Sequence, residues 1–361
     1  MDLSAVRAGL PVLERYAYLN AGTFGPLPRR TVEAIERRLG RDLAEGRSGK
    51  VLFEEVSALR ARLREALGGV IGAPAGSIAL TGSTTDGCNI AVNALRLGPD
   101  DEILTTDLEH PGLAGALRVS GTRVRVARLR DLPAAAALAA LEAGITPRTR
   151  LIALSHVCWV TGHLLPVREL AGRGIPVLLD GAQAAGAIPV DVVELGCDFY
   201  TVSAQKWLLG PDSTGCLYVR PDLVEELRIV FPSYASWKPW TDELVPGAAR
   251  FEPGWASAGI LEGLLESVAF AEAAGEERFQ QARATAERCR GLLSERGLRV
   301  VTEPGHAGLV TFEPRGDPAE LVARLAAQDV VVRELPGFGW VRASVGFWTS
   351  DEELERLAAG V

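Results

Sequence analysis

A lysine inside an apolar run is the first residue in this sequence whose placement asks for chemistry. Lys206 lies in DFYTVSAQKWLLGP, a stretch that otherwise reads as a buried strand and the turn after it. Taking an ammonium out of water is costly unless something offsets it, so either the run is more exposed than it looks or Lys206 has a task. Burial lowers a lysine pKa from about 10.4, and a partly neutral amine is the species that forms a Schiff base. Asp180 ends the apolar run of PVLLDGAQAAG, where a parallel strand would deliver a carboxylate to the rim of a sheet. Its plain alternative is to cap the following segment. In LTGSTTDGCNIAVNAL a strand runs through a small polar turn into an apolar-periodic helix. Ser83, Thr84 and Thr85 at that helix start offer backbone N–H groups and the positive dipole end to an anion such as a phosphate, with an ordinary N-cap as the alternative.

If DVVELGCDFYTVS between Asp180 and Lys206 is one helix and one strand, both side chains arrive at the same sheet rim from neighbouring elements. Phosphate cradle, carboxylate and lysine together describe pyridoxal 5′-phosphate (PLP). Its aldehyde needs the amine, its pyridine nitrogen needs a carboxylate to stay protonated, and its phosphate needs an anion hole.

The elements that must position these groups follow from the patterning. SIALTG, DEILTT, TRVRVARL, RLIALSHV, PVLLD and GCLYVR read as strands separated by helix-length stretches, which predicts an α/β fold with a mostly parallel sheet sandwiched by helices. Residues 29–67 carry helical periodicity, with Ile35, Leu39 and Leu43 on one side and Leu59, Leu63 and Leu67 further on. The alternation breaks at the Pro-, Gly- and Trp-rich segment 231–257, a long helical stretch runs from about Ile260 to Arg296, and LRVVTE, GLVTFE, VVVREL and WVRASVGF follow as short strands. A large cofactor-binding domain over 1–250, with an N-terminal active-site segment over about 1–28, and a smaller α+β domain over 251–361 are expected.

Composition removes other function classes. A formal net charge of −8 without a dense Lys/Arg stripe argues against a nucleic-acid partner and favours a small molecule. No signal-peptide pattern or membrane-length apolar run is present, so the cytoplasm is the expected location. The five cysteines are scattered without CxxC pairs and the four histidines lack metal-helix spacing, which predicts neither a disulfide framework nor a metal site.

With these motifs in order, nearly the whole chain, from YLNAGTFGPLP to WVRASVGFWTSDEELERL, resembles the class V aminotransferase and cysteine desulfurase group of fold-type I PLP enzymes. The resemblance implies Lys206 as the Schiff-base lysine, Asp180 as the partner of the pyridine nitrogen and Gln183 as a hydrogen-bond donor to the ring oxygen. It implies Thr84, Thr85 and Ser203 as phosphate ligands, His110 of LEHPG as the ring-stacking histidine and Arg342 of VRAS as the arginine that grips the substrate carboxylate. Asn20, in the N-terminal motif, joins the expected substrate contacts. A homodimer with its active site at the subunit interface is implied as well, and 231–257 is a plausible contact surface.

Departures from the family pattern narrow the activity. Gln205 stands where a histidine usually precedes the lysine, so a carboxamide rather than a titratable ring would meet the phosphate. Trp159 in SHVCWVTGH replaces a common asparagine, and Trp255 in RFEPGWASAG replaces a threonine that often reaches the neighbouring subunit's phosphate; both are expected near the substrate. Cysteine desulfurases carry a nucleophilic cysteine on a loop before the carboxylate-binding arginine, but VVVRELPGFGWVRAS is short and has none, which argues against persulfide chemistry on the enzyme. What remains is similar to cysteine or cystine C–S lyases and the sulfoxide lyases of ergothioneine biosynthesis. The expected activity is a PLP-dependent lyase that splits a sulfur-containing amino acid to pyruvate and ammonia. An aminotransferase or an amino-acid epimerase of the isopenicillin N epimerase kind, using the same machinery, is the alternative.

Overall fold

The computed structural model describes residues 2–233, 235–239 and 241–361. Seven strands form the large sheet: β1 (Ile78–Thr81), β2 (Glu102–Thr106), β3 (Arg123–Ala127), β4 (Thr149–Ser155), β5 (Val177–Asp180), β6 (Phe199–Ser203) and β7 (Gly215–Val219). Their spatial order is β1-β7-β6-β5-β4-β2-β3, and every pairing is parallel except those of β7 with β1 and β6. The central strands are buried on both faces, which is why they read as continuous apolar runs rather than alternating ones. Successive side chains of β5 feed different cores: Leu178 packs with Ile103, Leu151 and Phe199, while Leu179 packs with Leu104, Ile152 and Leu154 on the other face. Helices must cover both faces, and the strand carboxyl ends are left as the natural ligand rim.

A second, antiparallel sheet is built from β8 (Arg299–Val300), β9 (Leu309–Glu313), β10 (Arg333–Leu335) and β11 (Trp340–Ser344), in the order β10-β11-β9-β8. Ala17–Tyr18 pairs in parallel with Val330–Val331 as a separate two-stranded sheet, and Asn20 bridges Ser344 of β11. The N-terminal segment therefore lies between the two sheets, where the site forms.

Two helical expectations change. Residues 29–67 form two helices, Arg29–Glu45 and Gly49–Val70, separated at Gly46 and Gly49, whose positive φ angles end one and begin the next. Leu59, Leu63 and Leu67 are buried as periodicity predicts, but Leu39 and Leu43 are 53% and 89% exposed. The first helix instead buries Thr31, Ala34 and Arg38 against the helix Ala258–Ala273, where the Thr31 and Ser267 hydroxyls bond and Gly263 leaves room for Ile35. The stretch expected from Ile260 to Arg296 is likewise two helices, Ala258–Ala273 and Glu277–Glu295, parted at Gly275 with φ +66°. In the 231–257 segment, Trp237 bridges Leu244, and positions 234 and 240 lie outside the described residues. Among the described residues no helix is long and apolar enough to cross a membrane.

Candidate active site

β4, β5 and β6 end side by side, with Ser155 paired to Asp180 and Asp180 to Thr201. Lys206 follows β6 on a turn closed by Gly210 N–H donating to Ala204 O (2.8 Å). In that turn Leu209 has φ +57°, a conformation a branched side chain rarely adopts, so the surrounding packing over-determines the backbone at this point. The N-terminal segment crosses directly over the turn: Gly25 N–H donates to Gln205 O (2.7 Å), and a Cβ on Gly25 would sit 2.0 Å from Lys206 O. Only glycine permits that approach.

Burial pulls the Lys206 ammonium down to about 8; Arg342 and Arg333 push the same way, and Asp180 opposes them. Asp180 is itself buried, which raises its pKa, and Lys206 and the Ala182 N–H on Oδ1 (2.9 Å) restrain the rise. Asp180 at the end of β5 and Lys206 in the turn after β6 thus lie at one rim of the sheet.

The phosphate candidates gather at the start of the helix Thr84–Ala94. Ser203 Oγ accepts from Thr84 N–H (3.0 Å) and donates to Thr84 Oγ1 (3.2 Å), which ties the end of β6 to the helix N-terminus. Thr84 is buried in this contact, and Thr85 is exposed beside Gly112. Gln205 Oε1 is buried with no hydrogen-bond partner among the described residues; as an acceptor it cannot meet a phosphate oxygen, which only the amide Nε2 could do. Gln183 is more constrained than expected. Trp207 Nε1 can only donate, and it meets Gln183 Oε1 (2.9 Å), so the amide orientation is fixed, and Nε2 donates to Gly22 O (2.8 Å). A single N–H remains for a ring oxygen.

His110 caps the helix Pro111–Val119: its Nδ1 accepts from Gly112 N–H (3.1 Å), which places the ring proton on Nε2. Burial, with Lys206, Arg333 and Arg342 adding, lowers its pKa to about 4, so the ring is neutral near pH 7. Its edge meets Trp159, with ring centroids 5.3 Å apart. Trp159 O accepts from Arg342 Nη1 (2.7 Å), while Arg342 Nε and Nη2, fully buried, have no partner. Burial and Arg333 lower the Arg342 pKa to about 9. An arginine in that state has two donors available for a carboxylate. Asn20 Oδ1 accepts from Thr23 Oγ1 (2.8 Å), and Thr23 Oγ1 in turn accepts from Arg333 Nη1 (3.1 Å).

Trp255 is placed apart from Trp159 and Arg342. It lines a cavity of about 550 Å³ with Gly82, Asp86 and Ser213, on the phosphate side, and its ring meets Phe53 edge-on at 5.7 Å.

Three residues escaped the sequence reading. Arg333 pairs directly with Arg342 across β10 and β11 and lies over the Trp159 ring at 5.9 Å; no carboxylate pairs with either arginine among the described residues. The hairpin pattern around PGFG could have revealed that register. Glu109 is held by Thr106 Oγ1 (2.6 Å), Ser155 Oγ (2.6 Å) and Ser155 N–H (2.9 Å), and burial, with Asp180 adding, raises it to about 7. Phe338, at the hairpin tip, meets Trp159 edge-on at 6.1 Å.

The profile of the family described as Aminotransferase class-V matches residues 17–357. The chain belongs to this family. It is 33% identical over 373 residues to an isopenicillin N epimerase of Streptomyces clavuligerus, with 94% of this chain and 92% of that protein covered. It is 28% identical to a probable cysteine desulfurase of Xylella fastidiosa, covering 100% of this chain and 95% of the relative. Among solved structures it resembles the cystine C–S lyase C-DES in complex with its reaction product cysteine persulfide, at TM-score 0.92 and 29% identity over 97% of this chain and 98% of that one. A C-DES variant with glycine covalently linked to the PLP cofactor matches equally well, at TM-score 0.92. The fold is the fold-type I PLP transferase fold, and PLP is the cofactor. The residues present fit it: an amine with a lowered pKa, a buried carboxylate beside it, and a helix N-terminus tied to the end of β6 by Ser203.

Proposed function

We propose that this PLP-dependent enzyme is a C–S lyase acting on a sulfur-containing amino acid, such as cystine, cysteine, or a cysteine S-conjugate or sulfoxide, with pyruvate and ammonia as products. The observation that carries the reading is the β10–β11 hairpin. Its tip holds Phe338 against Trp159 and contains no cysteine, and all five cysteines of the chain are buried. Cys158, next to Trp159, has its thiol pKa raised by burial, so no accessible thiolate stands ready to take sulfur from a substrate. The sulfur must then depart as part of the leaving group.

Bound PLP supplies the electron sink that makes the α-proton of an amino acid acidic. Asp180 would hold the pyridine nitrogen and His110 would lie against the ring. Thr84, Thr85, Ser203 and Gln205 would hold the phosphate, and Gln183 would offer its remaining N–H to the ring oxygen. Arg342 would take the α-carboxylate with its two unpartnered donors. Lys206, whose pKa burial lowers to about 8 in the free protein, would accept the α-proton and return it to the departing sulfur. Arg333, in register with Arg342 and lacking an acidic partner among the described residues, suits a second carboxylate, which cystine carries and alanine lacks. Asn20 and Thr23 would hold Arg333 in place.

A second reading, amino-acid epimerisation, is favoured by the 33% identical isopenicillin N epimerase. His110 speaks against a two-base version of it, because its Nε2 carries the proton and Nδ1 is already used by Gly112. Incubating the protein with L-cystine, S-methyl-L-cysteine and L-alanine in heavy water separates the readings. Pyruvate from the sulfur substrates supports the lyase; α-deuteration and D-isomer without pyruvate supports the epimerase and overturns the lyase. Lys206→Ala should abolish either outcome and, before amino acid is added, the visible band that the cofactor gives when bonded to the protein. We also propose a homodimer, supported by the outward-facing Leu43, Val51, Phe53 and Trp255, and tested by sedimentation of the holoenzyme.

A further inference from the structure

The β10–β11 hairpin is braced far more firmly than a surface turn requires. Gly337 and Gly339 flank Phe338 with φ of +81° and +74°, and Phe338 N–H donates to Leu335 O (3.1 Å), so the turn holds its one bulky side chain in a defined direction. Phe338 stacks on Trp340 at 5.7 Å and 28°, and Arg130, from the segment after β3, lies over both rings at 4.9 and 5.7 Å. A residue following the large sheet thus clamps the tip of a hairpin that belongs to the small one. The clamp leaves Phe338 in a T-shaped contact with Trp159, whose ring also meets the His110 ring and the Arg333 guanidinium.

Trp159 is placed to matter. Its carbonyl holds Arg342, its indole lies among His110, Arg333 and Phe338, and its Nε1, buried, has no hydrogen-bond partner. A substrate held at its carboxylate by Arg342, which itself donates to the Trp159 carbonyl, would have its side chain free to run along this indole.

We propose that Phe338 is a positioning residue that determines specificity: clamped by Arg130 and Trp340, it holds the Trp159 indole as a fixed wall that selects side chains able to lie against aromatic rings, such as a thioether or disulfide. The inference rests on the lyase reading for its choice of sulfur, but the selection itself operates at binding. Sulfur is polarizable and makes favourable contacts with aromatic rings, which a methyl side chain offers only weakly.

The test measures dissociation constants for S-methyl-L-cysteine and L-alanine from the shift in the holoenzyme's cofactor absorbance, in wild type, Phe338→Leu and Phe338→Ala. Phe338→Ala should reduce the preference for S-methyl-L-cysteine about tenfold and Phe338→Leu about threefold, with L-alanine binding within about twofold of wild type. Near-ultraviolet circular dichroism of the cofactor-free protein supplies an independent readout. Phe338→Ala should lose the part of the tryptophan signal that Trp159→Phe also loses, and Arg130→Gln should lose part of it. Equal weakening for both ligands, an unchanged preference in a folded variant, or an unchanged tryptophan signal overturns the proposal. Pyruvate is scored separately: the expected preference without pyruvate release would sink the lyase reading and leave the role of Phe338 standing.

Discussion

Arg342 offers the sharpest quantitative test of the site, because stability and binding should move in opposite directions when it is removed. The guanidinium is fully buried, donates one bond to Trp159 O at 2.7 Å, and leaves Nε and Nη2 without partners. Each buried unsatisfied donor costs about 1–3 kcal/mol, more when charged, and the neighbouring Arg333 adds repulsion. Replacement by methionine, which is similar in length and flexible, removes that penalty but strands the Trp159 carbonyl, an opposing loss of about 1 kcal/mol or more. The net expectation is a gain of about 1–2 kcal/mol in the absence of substrate. For a chain of this size that is a rise in Tm of roughly 1–3 °C. Ligand binding should fall by about 2–5 kcal/mol, roughly 30- to 4000-fold in Kd, because a buried carboxylate would lose its ionic partner. Differential scanning calorimetry of the holoenzyme without amino acid gives the first number, and titration of the cofactor absorbance with L-alanine the second. A variant that melts several degrees lower and binds L-alanine within about threefold of wild type would refute the reasoning, for Arg342 would then be a structural cation with a partner this structure does not reveal.

Other perturbations follow from the same geometry. In the cofactor-free protein, the rate at which Lys206 reacts with an amine-selective reagent should rise with an apparent pKa near 8; Asp180→Asn removes the group that holds it up and should move the midpoint lower, while a midpoint near 10 in wild type would contradict the burial argument. Gly25→Ala should weaken substrate binding about tenfold or more and lower Tm, since its Cβ would collide with Lys206 O at 2.0 Å; unchanged binding and stability would show that the N-terminal segment shifts freely. His163 and His306 lie with rings 4.8 Å apart, each accepting a backbone N–H across the join between the sheets: Leu164 N–H to His306 Nδ1 (2.9 Å) and Glu303 N–H to His163 Nε2 (3.3 Å). Both pKa values are lowered, chiefly by burial, so the unfolded chain binds protons more readily and the stability from the pair is complete above about pH 6.5 and is lost as pH falls below it. His163→Gln, whose amide oxygen can still accept, should reduce the slope of Tm between pH 7 and 5 by roughly 1 °C per pH unit, and an unaltered slope would exclude the pair as its source.

The sheet and the carboxylate-lysine juxtaposition were legible because both depend on short-range patterns. Runs such as PVLLD and DFYTVS are apolar for the reason that parallel strands are buried on both faces, and the right-handed crossover between them returns Lys206 to the strand next to Asp180. The exposed Leu39 and Leu43 were illegible for the complementary reason. Periodicity names an apolar face, but the small side chains of Ala258–Ala273 decide which residues of Arg29–Glu45 can approach, and that is a tertiary fact. Gln183 and Arg333 mark the same limit within the site. A motif can nominate a glutamine as a ring-oxygen donor without showing that Trp207 and Gly22 already take up most of it. Arg333 has no motif at all; it becomes visible only when β10 is laid against β11 and two arginines face each other.

That facing pair also bears on Gln205. Without ligands the site holds Lys206, Arg333 and Arg342 as cations against Asp180, with Glu109, at about 7, only half charged near neutrality. A histidine cation in place of Gln205 would add positive charge where burial has already driven Lys206 down, and would lower its pKa further. On the proposed reading a carboxamide would give the phosphate an Nε2 donor without that charge, the helix N-terminus at Thr84 would carry the electrostatic part of phosphate binding, and the positive charge of Arg333 and Arg342 would face the substrate. A substrate with a second carboxylate, such as cystine, should therefore pair with Arg333 better than one whose side chain carries none.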